Sequence, residues 1–151
     1  MPSVANRVAV LHGVNFDVLE RRPAEIYGGL SLSQLEAKIS GWAHGLRLEP
    51  IFFQTNSEGE FCEYLHRSVD LADAVVVNAG AWTHYSRAIA DALQMTGLPA
   101  VEVHLSDVEA REDWRKLSVF DGLVLTKVSG KGPDGYREAL EPLAGELGVG
   151  A

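Results

Sequence analysis

The residues best suited to acid–base chemistry follow short apolar runs of this sequence. Glu102 and His104 are separated by one valine, so the two-residue period of a strand places both side chains on one face. A carboxylate in that position orients the neighbouring imidazole. Glu102 and His104 therefore form the first candidate pair for proton transfer.

A second group of polar side chains lies in the long segment after the first apolar run. Asn15, Arg22 and Tyr27 precede the glycine pair Gly28 and Gly29. A connection of this length in a compact α/β domain is more often a lid than a simple link. The sequence predicts a lid over residues 15–29, with the two glycines as its hinge.

The third apolar run ends in Asn78 and a series of small residues before His84. Small residues let a ligand approach the backbone, although a single histidine is more often structural than catalytic. His12, His84 and His104 lack the spacing of a metal-ligand motif, so no metal site is expected. Together these strand-end residues indicate a metal-free site.

Hydrophobic periodicity predicts the elements that position these side chains. Strands are expected at residues 8–11, 50–53, 74–77, 98–104 and 123–125, with helices between them and a last helix from about Gly135 that Pro142 breaks or restarts. This alternation is typical of a five-stranded, doubly wound, flavodoxin-like α/β sandwich of three layers, with a parallel sheet. Ligands of such sheets bind at the carboxyl ends of the strands.

Composition limits the class of protein. The 151 residues suit a single domain, 1–151, and 13 Lys and Arg against 21 Asp and Glu give a net charge of −8, which disfavours nucleic acid or an anionic membrane as the main partner. A few local arginines still allow an anionic small molecule. Without an apolar run of membrane-spanning length, a signal-peptide pattern or more than one cysteine, the protein is expected in the cytoplasm. Nucleophile-elbow, phosphate-loop and dinucleotide fingerprints are absent from the sequence.

Four segments, in order along the chain, resemble the motifs of type II 3-dehydroquinate dehydratases. They are residues 13–19 with Arg22 and 25–28, residues 54–60, residues 78–84, and residues 102–106 with 110–112 and Arg115. The resemblance runs from about Val8 to Ser118. It implies the flavodoxin-like fold, and dehydration of 3-dehydroquinate to 3-dehydroshikimate by anti elimination through an enolate, without a cofactor or a Schiff base.

The resemblance also implies catalytic roles. Tyr27 would be the base, and because an unperturbed phenol has a pKa near ~10, it needs a neighbouring cation, for which Arg22 is the matching residue. Asn15 would hold the enolate oxygen, directly or through an ordered water. His104, oriented by Glu102, would be the general acid.

Substrate contacts and assembly follow from the same resemblance. The side chain of Asn78 and the backbone N–H groups of Leu105 and Ser106 would hold the substrate carboxylate, while hydroxyls would be gripped by Arg115, His84 and Ser106. Family members commonly form trimers that assemble into dodecamers. Asp91 matches a residue that is offered to the neighbouring active site.

Several positions depart from the family pattern and leave alternatives open. His12 stands where the family usually has Asn, Val14 replaces Pro, and Asp17 and Glu20 stand where Asn and Gly are frequent. The tail, residues 119–151, matches weakly. An alternative hypothesis is therefore that the protein is a diverged homologue that dehydrates another cyclic hydroxy-ketone acid. The pathway in which it acts also stays open.

A noncatalytic flavodoxin-like module is the alternative from another class. A phosphorylation receiver needs acidic residues at the ends of strands one and three, where this chain has His12 and Asn78. A flavin carrier needs a Ser/Thr- and Gly-rich phosphate loop after strand one, where this chain has residues 14–17 in the order Val-Asn-Phe-Asp. Both forms are disfavoured.

Overall fold

In the computed structural model, which describes residues 5–149, five strands form one parallel sheet in the order β2-β1-β3-β4-β5. The strands are β1 (Arg7–His12), β2 (Glu49–Gln54), β3 (Ala74–Asn78), β4 (Ala100–His104) and β5 (Thr126–Ser129). The helices are α1 (Ala24–Tyr27), α2 (Leu32–Gly45), α3 (Glu58–Leu71), α4 (Arg87–Thr96) and α5 (Asp134–Leu147). The order reverses between β1 and β3, the place where doubly wound sheets bind ligands. The predicted fold class is confirmed.

Helices cover both faces of the sheet, which makes three layers. Val76 packs on the side of α2 and α5, and its neighbour Val77 packs on the side of α3 and α4. Both side chains are fully buried, as expected when a parallel strand has helices on each face. Across residues 5–149, the helices are all too short or too polar to span a bilayer.

The start of α2 shows how local sequence fixes an element. The Ser31 hydroxyl accepts a hydrogen bond from the Gln34 backbone N–H at 3.2 Å, and the Gln34 side chain accepts one from the Ser31 N–H at 3.0 Å. This predicted capping box satisfies two backbone donors that a helix start otherwise leaves unpaired. Leu35 and Ile39 then follow at helical spacing and are fully buried.

The prediction for the fifth strand is wrong by a few residues. Residues 123–125 form a turn, in which the Leu123 N–H donates to the Phe120 carbonyl at 2.8 Å, and β5 begins at Thr126. Leu123 and Val124 are apolar because they pack against the core on the α3 and α4 side. Their hydrophobicity reflects burial in a turn and not strand pairing.

Pro142 does not break α5, contrary to expectation, and the helix continues to Leu147. Proline removes the N–H that would bond the carbonyl of Glu138. Both residues lie on the exposed face of the helix, where the carbonyl that loses its partner is open to solvent. Leu140 and Leu143, both fully buried, hold the two halves of the helix against the sheet.

The segment predicted as a lid contains more regular structure than a loop. A 3-10 segment spans Phe16–Arg21, and α1 adds one helical turn. Phe16 and Leu19 are buried and anchor the segment to the core, while Gly28 ends α1 with φ of 90°. The segment therefore lies packed over the carboxyl end of the sheet, and its role as a moving lid stays a prediction.

Candidate active site

A cavity of about 290 Å³ lies at the carboxyl ends of β1, β3 and β4, beneath the segment that carries α1. Most of the residues predicted to form the site line this cavity: Asn15, Arg22, Tyr27, Asn78, His84, His104, Leu105, Ser106 and Arg115. Glu102 lies directly behind His104, fully buried. The fold thus brings together residues that are up to about a hundred positions apart in the chain.

Two arginines contact the hydroxyl oxygen of Tyr27. Arg22 donates one hydrogen bond from Nη2, and Arg111 donates another from Nη1 at 2.7 Å. The guanidinium carbons lie 4.2 Å and 5.5 Å from the centre of the tyrosine ring. The phenol oxygen therefore accepts two hydrogen bonds from charged donors.

Arg111 is the functional residue that the sequence analysis missed. It belongs to the matched segment 110–112, but its partner Tyr27 is 84 residues away, and no local spacing reveals the contact. The same Nη1 atom also donates to the hydroxyl of Ser106 at 3.2 Å. Arg111 thereby links Tyr27 on α1 to the loop after β4.

His104 is held by a buried carboxylate. Its Nε2 lies 2.5 Å from Oε2 of Glu102, which confirms that the two side chains share one face of β4. The hydroxyl of Ser118, also buried, lies 2.9 Å and 3.0 Å from the two carboxylate oxygens and donates to them. This arrangement fixes the imidazole and satisfies a charge that would otherwise be costly to bury.

His84 lies beside His104 in the cavity, and its own ring is a neutral imidazole. Its Nδ1 is 2.7 Å from the carbonyl of Leu117, which can only accept, so Nδ1 carries the hydrogen. Burial lowers the pKa of His84, and the charges of His104 and Arg115 act in the same direction, against the raising effect of the Leu117 hydrogen bond. The remaining nitrogen, Nε2, is suited to accept a hydrogen bond from a hydroxyl group.

Asn78 closes the base of the cavity with its amide fixed at both ends. Nδ2 donates to the hydroxyl of Tyr136 at 3.1 Å, and Oδ1 accepts from the N–H of Gly80 at 3.4 Å. The carbonyls of Leu105 and Ser106 accept from the N–H groups of the loop before α5, each at 3.1 Å. These bonds tie the chain after β4 to the loop before α5.

Asn15 stands at the start of the lid segment in a left-handed conformation, with φ of 73°. Its backbone N–H donates to Oδ1 of Asn56 at 2.8 Å, and the Asn56 Nδ2 donates to Asp17 at 3.0 Å. Asp17, one of the departures from the family pattern, therefore ties the base of the lid to the loop after β2.

The charge of the cavity is opposite to that of the whole chain. Arg22, Arg111 and Arg115 all line it, although the net charge of the protein is −8. Such a local excess attracts an anion. Within residues 5–149, no group of three or more His, Cys, Asp and Glu side chains is close enough to hold a metal ion.

Asp91 is the one predicted site residue that lies apart from the others. It is exposed on α4 and does not line the cavity of its own chain. This position is compatible with the expectation that it serves a neighbouring subunit. That expectation stays a prediction.

Comparisons with known proteins identify the family of this chain. The family model "Dehydroquinase class II" matches residues 6–144. A 3-dehydroquinate dehydratase of Halothermothrix orenii is 40% identical over 146 residues, which are 97% of this chain and 99% of the relative. The 3-dehydroquinate dehydratase of Syntrophotalea carbinolica is 46% identical over 135 residues, which are 89% of this chain and 91% of the relative.

A solved structure supports the same assignment. The type II dehydroquinase from Propionibacterium acnes superposes with a TM-score of 0.88 at 37% identity, covering 95% of this chain and 99% of that one. Identity at this level over nearly the full length of each protein establishes common descent as well as a common fold. The chain belongs to the class II dehydroquinase family.

Proposed function

We propose that this dehydroquinase is a hydro-lyase that converts 3-dehydroquinate to 3-dehydroshikimate by anti elimination through an enolate, with Tyr27 as the base and His104 as the acid. The observation that carries the proposal is the pair of proton-transfer groups in one cavity: a phenol held by two arginines and an imidazole held by a buried carboxylate. The reaction is one of the shikimate pathway.

In the first step, Tyr27 takes a proton from the carbon next to the ketone, and the electrons of that bond move onto the ketone oxygen. A phenol does this at neutral pH only as the phenolate. Arg22 and Arg111 both donate to its oxygen and stabilise that charge. The proton then resides on Tyr27.

The enolate formed in this step needs a donor at its oxygen. Asn15, at the wall of the cavity, supplies this donor directly or through an ordered water. The left-handed backbone and the hydrogen bond to Asn56 fix the position of Asn15 before substrate arrives.

In the second step, His104 gives a proton to the tertiary hydroxyl, which leaves as water while the enolate electrons form the carbon–carbon double bond. Glu102, 2.5 Å from Nε2, holds the imidazole in position for this transfer. Exchange with solvent then returns Tyr27 to the phenolate and His104 to the imidazolium, so the cycle balances.

The remaining residues hold the substrate. Asn78 and the backbone N–H groups of Leu105 and Ser106 bind its carboxylate, and its hydroxyls contact Arg115, His84 and Ser106. The positive charge of the cavity supports an anionic substrate. His84 Nε2, the free nitrogen of a neutral ring, supports a role as hydroxyl acceptor.

Hydrogen exchange in D₂O separates the two proposed roles. His104→Ala removes the acid but leaves the base, so we expect deuterium to enter the carbon next to the ketone while product formation falls sharply. Tyr27→Phe removes the base and stops both processes. The matched control is Tyr85→Phe, because Tyr85 is 62% exposed. This variant should keep both deuterium exchange and product formation. Exchange catalysed by Tyr27→Phe at the wild-type rate would overturn the assignment of the base.

We also propose that the protein assembles into trimers and dodecamers, with Asp91 reaching the active site of a neighbouring subunit. Met95 lies one helical turn after Asp91 on α4 and lines a surface groove with Val69 of α3, and the exposure of these two apolar side chains supports a contact surface there. Light scattering tests the assembly, and a monomer at micromolar concentration would contradict it. The cytoplasmic location stays a prediction.

A further inference from the structure

A buried histidine that the proposed mechanism does not use lies beneath the cavity. His12, the last residue of β1, is fully buried between the rings of Phe16 and Phe52, whose centres are 5.5 Å and 6.0 Å from its own. In the part of the chain that the structure describes, neither of its ring nitrogens has a hydrogen-bond partner. Buried polar atoms without a partner are costly and rare, so they point to a specific task.

Glu36 of α2 lies within ion-pair distance of His12. His12 Nε2 lies 3.1 Å from Oε2 of Glu36, within ion-pair distance although not aligned as a hydrogen bond. The Glu36 side chain is 27% exposed, so the carboxylate connects the buried ring to the protein surface.

Tyr136 of α5 lies between this pair and the cavity. The centre of its ring is 6.5 Å from that of His12, and its hydroxyl accepts the hydrogen bond from Nδ2 of Asn78. Burial raises the pKa of Tyr136 well above its usual range, and the charge of Glu36 raises it further, against the opposing effect of the Asn78 bond. Tyr136 is therefore a neutral phenol, with a proton to donate.

The register of the sheet places the members of this group on one face. His12 of β1 pairs directly with Asn78 of β3, so the two side chains project to the same side of the sheet, where α2 and α5 pack. Tyr136 and Glu36 come from those two helices. His12, Tyr136 and Asn78 are buried and Glu36 is partly exposed, so the four residues form a polar group that runs from the surface to Asn78 in the cavity wall.

The hydroxyl proton of Tyr136 has two alternative directions. If it points to Asn78, the amide must turn its oxygen toward Tyr136, and its NH₂ group then faces the N–H of Gly80, which is unfavourable. If it points to the side of His12 and Glu36, the phenol oxygen accepts from Asn78 Nδ2 and the observed bond from Gly80 to Oδ1 is kept. Among the described residues no hydrogen bond joins the Tyr136 hydroxyl to His12, but the negative charge of Glu36, which lies beside His12, acts on the phenol and attracts its proton, and this favours the second state.

We propose that His12 and Glu36 are positioning residues for substrate binding: they orient the Tyr136 hydroxyl and so hold Asn78 with its NH₂ group presented to the carboxylate of the substrate. This inference rests on the proposed role of Asn78 as a carboxylate ligand. It gives the unusual histidine at position 12 a function in the site without contact to the substrate.

The test compares steady-state kinetics of His12→Phe and Tyr136→Phe with the wild-type protein, using 3-dehydroquinate. His12→Phe keeps an aromatic ring in the stack and removes both nitrogens, and Tyr136→Phe removes only the hydroxyl. We expect each to raise KM about fivefold, the effect of losing or weakening the hydrogen bond between Asn78 and Tyr136, with kcat within about twofold because this contact is not specific to the transition state. The double variant should be no worse than either single one, since both changes break the same connection.

Val10→Ala is the control for general loss of packing, because Val10 lies two residues before His12 in β1 and is buried on the same face of the sheet. It should lower Tm and leave KM unchanged. Glu36→Gln should also raise KM. Because Glu36 is partly exposed, this variant replaces His12→Phe in the test if His12→Phe does not fold. Asn78→Ala tests the premise that Asn78 binds the carboxylate of the substrate.

The outcomes distinguish the two proposals. If Asn78→Ala raises KM while His12→Phe, Glu36→Gln and Tyr136→Phe leave it unchanged, the positioning role is wrong and the substrate site stands. If Asn78→Ala also leaves KM unchanged, the role of Asn78 is wrong and the positioning role falls with it. A raised KM in Val10→Ala would show that packing alone accounts for the effect.

Discussion

At the scale of single residues, the proposed chemistry depends on how the phenol oxygen of Tyr27 is charged. Arg111 donates to that oxygen from the loop after β4, and Arg22 donates from the lid segment itself. The two donors thus come from different elements. The contribution of each arginine is therefore separately measurable.

Arg111→Ala should lower kcat about 10- to 100-fold, the effect of losing one hydrogen bond between charged groups, with a smaller change in KM. Arg22→Ala should act in the same direction. The matched control is Arg137→Ala, which removes an exposed guanidinium from α5 and should leave kcat unchanged. A wild-type kcat for Arg111→Ala would mean that its contact with Tyr27 has no catalytic role.

Glu102→Gln should lower kcat at least about tenfold with little loss of stability. The change keeps the size of the side chain but removes the carboxylate charge next to Nε2 of His104, the proposed acid. Replacing a buried carboxylate by an amide also removes its desolvation cost, so Tm should change little. Stopped-flow single-turnover rates and a thermal melt measure both quantities, and an unchanged rate would argue for a purely structural Glu102.

At the scale of elements, the lid segment connects the chemistry to the tail of the chain. Gly28 ends α1 with φ of 90°, and a Cβ built at this position would meet Cδ of Pro133 at 3.0 Å. Pro133 directly precedes α5. The weakly matching tail therefore packs against Gly28, the predicted hinge, next to the proposed base.

Gly28→Ala should lower kcat/KM by about tenfold, because the left-handed conformation costs about 1–2 kcal/mol for a residue with a Cβ and the contact with Pro133 moves Tyr27. Gly97→Ala is the control. Gly97 ends α4 with φ of 65°, but nothing lies within 4 Å of its Cβ position. Both variants should lose stability, and equal activity in the two would contradict the hinge role.

The sequence predicts the elements better than their exact ends. The capping box at Ser31 and the β-branched run of β3 predict their elements correctly because a local signal decides each one. The fifth strand is misplaced because Leu123 and Val124 owe their apolar character to a distant core contact. Pro142 is tolerated because its lost hydrogen bond faces water, which the sequence alone does not reveal.

The same distinction applies to the site. Glu102 and His104 are found from spacing, since a strand places them on one face. Their partner Ser118 and the contact between Arg111 and Tyr27 depend on how separate loops meet, and no local pattern predicts such contacts.

At the scale of the whole molecule, an ion pair at the end of the sheet opposite the cavity fastens the first strand. Arg7 donates from Nε and Nη2 to the two carboxylate oxygens of Asp73 at 3.1 Å and 3.2 Å, and its backbone N–H adds a bond at 2.9 Å. These bonds join the start of β1 to the turn before β3. They are independent of the catalytic residues.

Asp73→Asn should lower the free energy of unfolding by up to about 1 kcal/mol at neutral pH, a small effect because the pair is partly exposed. The hydrogen bond from Arg7 holds the pKa of Asp73 below its ordinary value. The stabilisation is therefore present above the unfolded-state pKa, near pH ~4, and disappears as pH falls through the folded-state value. Urea unfolding at several pH values measures this, with Asp70→Asn on α3 as the control. A difference that stays constant down to pH ~2 would contradict the explanation.

The measurement that tests the central claim most directly is ultraviolet absorbance after mixing the purified, metal-free protein with 3-dehydroquinate. The product has a carbon–carbon double bond conjugated to its ketone and absorbs where the substrate does not. We expect a saturable signal that borohydride does not affect, because no imine forms, and only residual turnover in Tyr27→Phe. No signal from folded wild-type protein would contradict the assigned substrate, and a wild-type signal from Tyr27→Phe would contradict the mechanism.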